Sequence, residues 1–254
     1  MLARGAVLGL LTYGGLGLLL ALRAVEWPLF GQRRPWTPHL TQAVCRAAFT
    51  VLGIGYRVTG RPMAEIGAVV ANHGSWLDIF ALNACQRVYF VSKAEVARWP
   101  GIGWLARATG TVFIRRDPRE ARAQTELFEA RIRAGHHLLF FPEGTSTDAC
   151  RVLPFKSTLF QAFYAHDLDK VMKIQPVSVI YRAPEGADPR FYGWWGDMGF
   201  GPHLVKVLAE RRQGSVEIVF HAPLAVRDFP SRKALAAAAE RAVRAGCETG
   251  LPQG

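Results

Sequence analysis

The chain has 254 residues, half of them hydrophobic, which suits one large domain or a domain with an appendage and excludes a disordered chain. Lys and Arg total 31 against 20 Asp and Glu, a formal charge of +11, so an anionic partner is expected. Cys45, Cys85, Cys150 and Cys247 lie far apart with no Cys-x-x-Cys pair and no zinc-like His spacing, which argues against a disulfide scaffold or zinc centre and for a reducing compartment.

The first element is an uncharged run, Gly5 to Leu22, bracketed by Arg4 and Arg23 and followed by Trp27. A membrane span needs about 20 apolar residues, and no small-x-small cleavage site follows, so a retained anchor or half-buried hairpin is expected. It makes membrane lipids the anionic partner and argues against nucleic acid. Arg23, Arg33, Arg34 and Arg46 outnumber Arg4, which by the positive-inside rule places the main domain on the cytoplasmic side of the inner membrane. Arg33 to Pro38 reads as a break and Thr41–Val51 as an amphipathic helix, giving an anchoring segment over 1–52 and a main domain over 53–250.

From Gly67 onward short β-rich runs alternate with helical stretches. Strands are expected at Ala68–Ala71, Val88–Ser92, Thr111–Ile114, Leu138–Phe141, Ile174–Ile180 and Val216–His221. Helices are expected at Ser75–Cys85, Trp104–Ala108, Pro118–Ala134, Phe155–His166 and Ser231–Ala245. That alternation predicts an α/β fold with a central mixed, largely parallel sheet flanked by helices. Three strands end in polar residues: Asn72-His73, Arg115-Arg116-Asp117 and Pro142-Glu143-Gly144-Thr145. If those strands are parallel, their carboxyl ends can share one pocket.

Asn72-His73-Gly74-Ser75-Trp76-Leu77-Asp78 holds the first candidate chemistry. Residues five apart on a helix lie about 140° round its axis, so His73 and Asp78 cannot share a helical face. With a turn at Asn72 to Gly74 and a helix opening near Ser75, the Asp78 carboxylate can fold back, hold the imidazole Nδ1–H and leave Nε2 as a base. Ser75-x-x-Asp78 also fits a capping box, in which Asp78 serves only the helix start. Gly110 through Arg116 brings two cations to a strand end, suited to an anionic group or to a solvated basic turn. Phe140-Phe141-Pro142-Glu143-Gly144-Thr145 brings a carboxylate, a flexible backbone and hydroxyls to one point, suited to polyol or phosphate oxygens or simply to a glycine turn. His136 and His137 point to opposite strand faces and make a poor metal site.

Asn-His-x-x-x-x-Asp, Gly-x-x-Phe-Ile-x-Arg, Phe-Pro-Glu-Gly-Thr and a Pro-Val strand, in that order from Asn72 to Val177, resemble the four motifs of the glycerolipid acyltransferase family that includes 1-acylglycerol-3-phosphate acyltransferase. The resemblance implies that His73 is the general base and Asp78 its orienting partner. An acceptor hydroxyl then attacks the thioester of acyl-CoA or acyl carrier protein without an acyl-enzyme. Gly110, Arg116, Glu143, Gly144 and Thr145 would hold the acceptor head group, with Asn72, Ser75 and Lys156 as further substrate contacts and Pro176 and Val177 as a pocket wall. A thioester is already activated, so a base, positioning and an oxyanion site, expected at the N–H groups of Gly74 to Trp76, suffice with no metal or cofactor.

Ser146 stands where many relatives carry Arg, which leaves the acceptor open. With Tyr192-Gly193-Trp194-Trp195-Gly196-Asp197-Met198 and Pro202-His203, the chain is similar to the lyso-ornithine lipid acyltransferase branch. Lysophosphatidic acid and lyso-ornithine lipid therefore stand side by side as acceptors, with any lysophospholipid as a third. The competing classes are a serine hydrolase using Ser75 or Ser146, although no Gly-x-Ser-x-Gly elbow occurs, and a basic binding module without catalysis.

Overall fold

Gly67-Ala68-Val69-Val70-Ala71 is buried at every residue, as a strand covered on both faces must be, and it lies in the middle of the sheet as β2 (Gly67–Ala71). The computed structural model describes residues 1–115, 119, 121–164 and 168–250. Its eight-stranded sheet runs β1 (Gly55–Thr59), β7 (Ser215–Phe220), β6 (Lys173–Arg182), β2, β5 (His137–Phe140), β3 (Val88–Lys93), β4 (Val112–Ile114), with β8 (Leu224–Ala225) paired to β6. Strands β6, β2, β5, β3 and β4 are parallel, while β7 and β8 run antiparallel to β6. The mixed, largely parallel α/β sheet is the expected one.

Alternation along β2 sorts the core into two layers. Val69 and Ala71 face a cluster built with α2 (Thr37–Leu52), α3 (Leu77–Cys85) and α6 (Phe200–Ala209), which α1 (Leu2–Phe30) joins through Leu8, with α4 (Ile102–Ala108) packed beside α1. Ala68 and Val70 face the opposite cluster, formed with α5 (Ala121–Arg133), a 3-10 stretch over Ser157–Tyr164 and α7 (Arg232–Gly250). The chain leaves β2 through α3 on the first face, whereas it leaves β5 through the 3-10 stretch on the second. Neighbouring strands whose exits part to opposite faces open a crevice at their carboxyl ends.

Several expectations need correcting. The helix expected to begin at Thr41 begins at Thr37, because Pro38 falls in its first turn, where a missing N–H costs nothing. The break is therefore shorter, and α2 contributes Cys45, Ala48, Phe49 and Leu52 to the main core. The stretch expected to be α-helical after Phe155 is 3-10 over Ser157–Tyr164, and His166 falls outside the described residues, as does the Pro118 helix start. Strand β1 and helix α6 (Phe200–Ala209) were not expected; β1 is a mostly exposed edge whose burial carries no alternation.

Helix α1 is long and apolar enough to cross a membrane by length and composition. Both its ends are tied to the rest of the chain. Arg4 donates to the Glu210 carbonyl at 2.5 Å. Near the other end the buried Glu26 carboxylate accepts the N–H groups of Trp36 (2.7 Å) and Thr37 (3.2 Å), the Thr37 hydroxyl (2.8 Å) and Arg23 (3.1 Å). Glu26 thus caps α2 and locks the α1–α2 hairpin, while Leu10, Leu18, Leu20, Val25, Trp27 and Leu29 stay exposed along α1.

Candidate active site

The chain leaving β2 is pinned before it reaches the histidine. The Asn72 side chain bonds both ways to the Val179 backbone, Nδ2 donating to its carbonyl and Oδ1 accepting its N–H, each at 2.8 Å. That amide replaces two ladder bonds beyond the strand end, so Asn72 braces the backbone and is not the expected substrate contact.

His73 is then fixed by its backbone, its ring edge and its ring face. Its N–H donates to Glu143 Oε1 at 2.7 Å, its carbonyl accepts the Thr147 N–H at 2.8 Å, and its ring stacks on Phe141 with centroids 4.0 Å apart. Nδ1 lies 2.7 Å from Asp78 Oδ2. Asp78 sits in the first turn of α3, whose cap is Trp76, so the turn-then-helix geometry brings the two side chains together across their spacing. With Nδ1–H facing an acceptor-only carboxylate, Nε2 is the basic nitrogen, and the side chain is 19% exposed.

Asp78 itself is fully buried, and four donors offset the cost of burying its charge. Oδ2 accepts from His73, from the Gly74 N–H at 2.9 Å and from the Ser75 N–H at 3.1 Å, while Oδ1 accepts the Tyr181 hydroxyl at 2.7 Å. The orienting and helix-start roles of Ser75-x-x-Asp78 are thus met by one carboxylate. The Gly74 and Ser75 N–H groups, expected to stabilise an oxyanion, are instead directed at Asp78. The Ser75 hydroxyl is buried without a hydrogen-bond partner and forms no Ser–His pair, so the hydrolase alternative loses its nucleophile there.

Glu143, just past neighbouring β5, spends both oxygens on backbone: Oε1 on His73 and Oε2 on the Leu153 N–H at 2.7 Å. Burial holds its carboxyl up at about 7 even against the lowering pull of those two N–H groups. It is a brace under His73 and not an exposed head-group ligand. Gly144 is half-buried, Thr145 is exposed, and Lys156 is exposed with its N–H on the Pro142 carbonyl at 2.9 Å, so these three form the rim.

Gly110 does not join them. It precedes β4, level with the amino ends of the parallel strands, beside the Arg34 guanidinium, and its carbonyl accepts Arg131 at 2.7 Å. Being several residues upstream of the polar strand end and beside edge strand β4, it lies three strands over from β2 and short of the strand ends that carry His73. Arg116 falls outside the described residues.

Three segments interlock around the histidine. A Cβ on Gly74 would stand 2.8 Å from the Ala149 Cβ, and one on Gly193 2.4 Å from the Asp148 carbonyl oxygen, so both backbone approaches require glycine. The Trp194 N–H donates to the Gly74 carbonyl at 2.9 Å. The Tyr192-to-Met198 stretch is therefore docked against the His73 turn.

Beside this turn lies an apolar cavity of about 330 Å³. Gly5, Leu8, Gly9, Leu16 and Leu19 of α1 line one side, Val44 and Cys45 of α2 another, and Trp76, Phe80 and Phe90 the inner end. Phe90 stacks on Phe141 at 6.0 Å, and Phe141 on His73, so the inner wall is one aromatic ring away from the imidazole.

The acyltransferase family profile matches residues 57–181, from β1 through the end region of β6. The sequence is 69% identical to the lyso-ornithine lipid O-acyltransferase of Rhodobacter capsulatus over 96% of this chain and 88% of that protein. It is 31% identical to the 1-acyl-sn-glycerol-3-phosphate acyltransferase of Neisseria gonorrhoeae over 80% of this chain and 78% of the relative. The crystal structure of the 1-acyl-sn-glycerophosphate acyltransferase PlsC from Thermotoga maritima shares the fold, with a TM-score of 0.59, 24% identity and 97% of both chains covered. With near-full-length identity at this level and a matching profile over the strands that build the site, the chain belongs to the acyltransferase family.

Proposed function

We propose that the chain moves a fatty acyl group from acyl-CoA or acyl carrier protein to the hydroxyl of lyso-ornithine lipid, with His73 as general base and Asp78 as its orienting partner. The observation that carries this is the His73–Asp78 pair at 2.7 Å, its imidazole reachable at the β2–β5 crevice and one ring from a long apolar cavity. Nε2 takes the proton from the acceptor hydroxyl as its oxygen attacks the thioester carbonyl. The C–S bond then breaks, the ester forms, and the imidazolium returns its proton to the departing thiolate. The acyl chain rests in the cavity, gaining roughly 0.8 kcal/mol per buried CH₂. Gly144, Thr145 and Lys156 on the rim, with Arg116 on its motif alone, hold the head group.

Two observations favour the ornithine head group over glycerol phosphate. The relative that is 69% identical carries that activity in its name, and Ser146 leaves one cation fewer at the phosphate end. The exposed apolar side of α1, with Trp27, Phe30 and Trp36 beside its arginines, meets the membrane from the cytoplasmic side, where the lysolipid is embedded. The test is thiol release from acyl-CoA and from acyl carrier protein with lyso-ornithine lipid and lysophosphatidic acid offered separately. Release that requires lyso-ornithine lipid and disappears in His73→Ala supports the reading. Release without acceptor, or unchanged lipid product in His73→Ala, overturns it.

A further inference from the structure

Four donors converge on Asp78, and the one on Oδ1 comes from a residue that carries no chemistry in the proposed reaction. Tyr181 lies near the end of β6, with its side chain buried and its hydroxyl 2.7 Å from Asp78 Oδ1. The other oxygen, Oδ2, takes His73 Nδ1 together with the Gly74 and Ser75 N–H groups. A carboxylate bound on one oxygen only can swing about its Cβ–Cγ bond; donors on both fix which oxygen faces the ring. The Tyr181 hydroxyl also draws charge density away from Oδ2, which weakens the pull of Asp78 on an imidazolium.

We propose that Tyr181 is a positioning residue that sets both the orientation and the basicity of His73 by holding the outer oxygen of Asp78. This rests on His73 acting as the base. The phenol is held in turn by its surroundings: Tyr181 packs on Tyr192 with centroids 5.5 Å apart, and Tyr192 bonds Gln213 at 2.7 Å and the Gly214 N–H at 2.8 Å. Deprotonation of Tyr181 beside Asp78 is opposed by burial and by that carboxylate, so it remains a donor throughout the working pH range. Among the described residues, the other titratable groups facing the pair are Glu143 from the β5 end and, behind Tyr181, the phenols of Tyr56 and Tyr192. All three keep their places in a Tyr181 variant, and the contribution of Glu143, which feels both His73 and Asp78, is told apart by repeating the comparison in the Glu143→Gln background.

Tyr181→Phe keeps the ring and deletes the hydroxyl. The expected result is roughly a tenfold loss of kcat, both substrate KM values within about twofold, and an acid limb of kcat/KM moved up by about half a pH unit or more. Tyr56→Phe is the matched control: it removes a half-buried phenol hydroxyl that donates to the Ala81 carbonyl at 2.7 Å and not to Asp78, and its profile is expected to stay in place. Placing 3-fluorotyrosine at Tyr181 alone keeps the bond with a more acidic phenol, and the acid limb is expected to move down. It supplies the same reading should Tyr181→Phe fail to fold. If His73→Ala abolishes transfer but the profiles of Tyr181→Phe and the fluorinated protein coincide with wild type, the positioning role is wrong while the base stands. If His73→Ala retains transfer, the base assignment itself has failed.

Discussion

The Glu143 carboxylate carries the backbone of His73: its Oε1 accepts the His73 N–H at 2.7 Å, while its Oε2 accepts the Leu153 N–H at the same distance. One buried acid thereby joins the turn after β2 to the loop after β5. Glu143→Gln keeps one acceptor but turns an amide N–H toward the other backbone donor. A buried donor left unpaired costs about 1–3 kcal/mol. We expect roughly a tenfold loss of kcat with a lowered melting temperature, read by steady-state rates and thermal unfolding; an unchanged kcat would show that the backbone of His73 does not need this brace.

Gly9 lines the cavity on α1, and a side chain there meets open space. Gly9→Leu should shorten the preferred acyl chain by about four methylenes, each worth roughly 0.8 kcal/mol when buried. Competition between long-chain and medium-chain acyl-CoA measures this. A preference that stays put means the chain lies elsewhere.

Gly193 approaches Asp148 so closely that Gly193→Ala must push the Tyr192-to-Met198 stretch off its seat and lengthen the 2.9 Å bond from Trp194 to the Gly74 carbonyl. Acceptor KM should rise by roughly an order of magnitude while the KM of the thioester changes little. Equal rises in both would mean that the whole site has shifted.

His136 is buried against Tyr89, with ring centroids 4.1 Å apart. Burial, reinforced by Arg131 and Arg34, pushes its imidazole down to about 3 from an ordinary 6.5. Between those values the unfolded chain binds a proton that the folded chain refuses, so stability is lost as pH falls through that window. At pH 5 the loss is about 2 kcal/mol. His136→Phe keeps the stack and removes the titration; urea midpoints at pH 7 and pH 5 should therefore fall further apart in wild type than in the variant. Identical differences would refute the assignment.

The sequence made the pair legible because a helix start lying between His73 and Asp78 leaves few ways for the two side chains to meet. The strands buried on both faces were legible for a similar reason: an unbroken apolar run such as Ala68–Ala71 has nowhere to lie but mid-sheet. What stayed hidden came from long range. Tyr181 reaches Asp78 across 103 residues and Asn72 reaches Val179 across 107, so no local pattern marks either contact. Gly110 stands apart because its motif spans a whole short strand: the glycine lies two residues before β4 and the arginines come after it in sequence, and a motif says nothing of which end faces the ligand. Glu143 and Asn72 looked like substrate ligands because polar side chains at strand ends serve ligands and backbone alike.

Helix α1 forms one side of the cavity while Arg4 and Glu26 fasten it at its two ends. Trimming the first thirty residues to obtain a water-soluble enzyme would accordingly strip away a wall along with the anchor. On the proposed reading the donor's tail would then lie against bulk solvent, and chain-length discrimination would fall away.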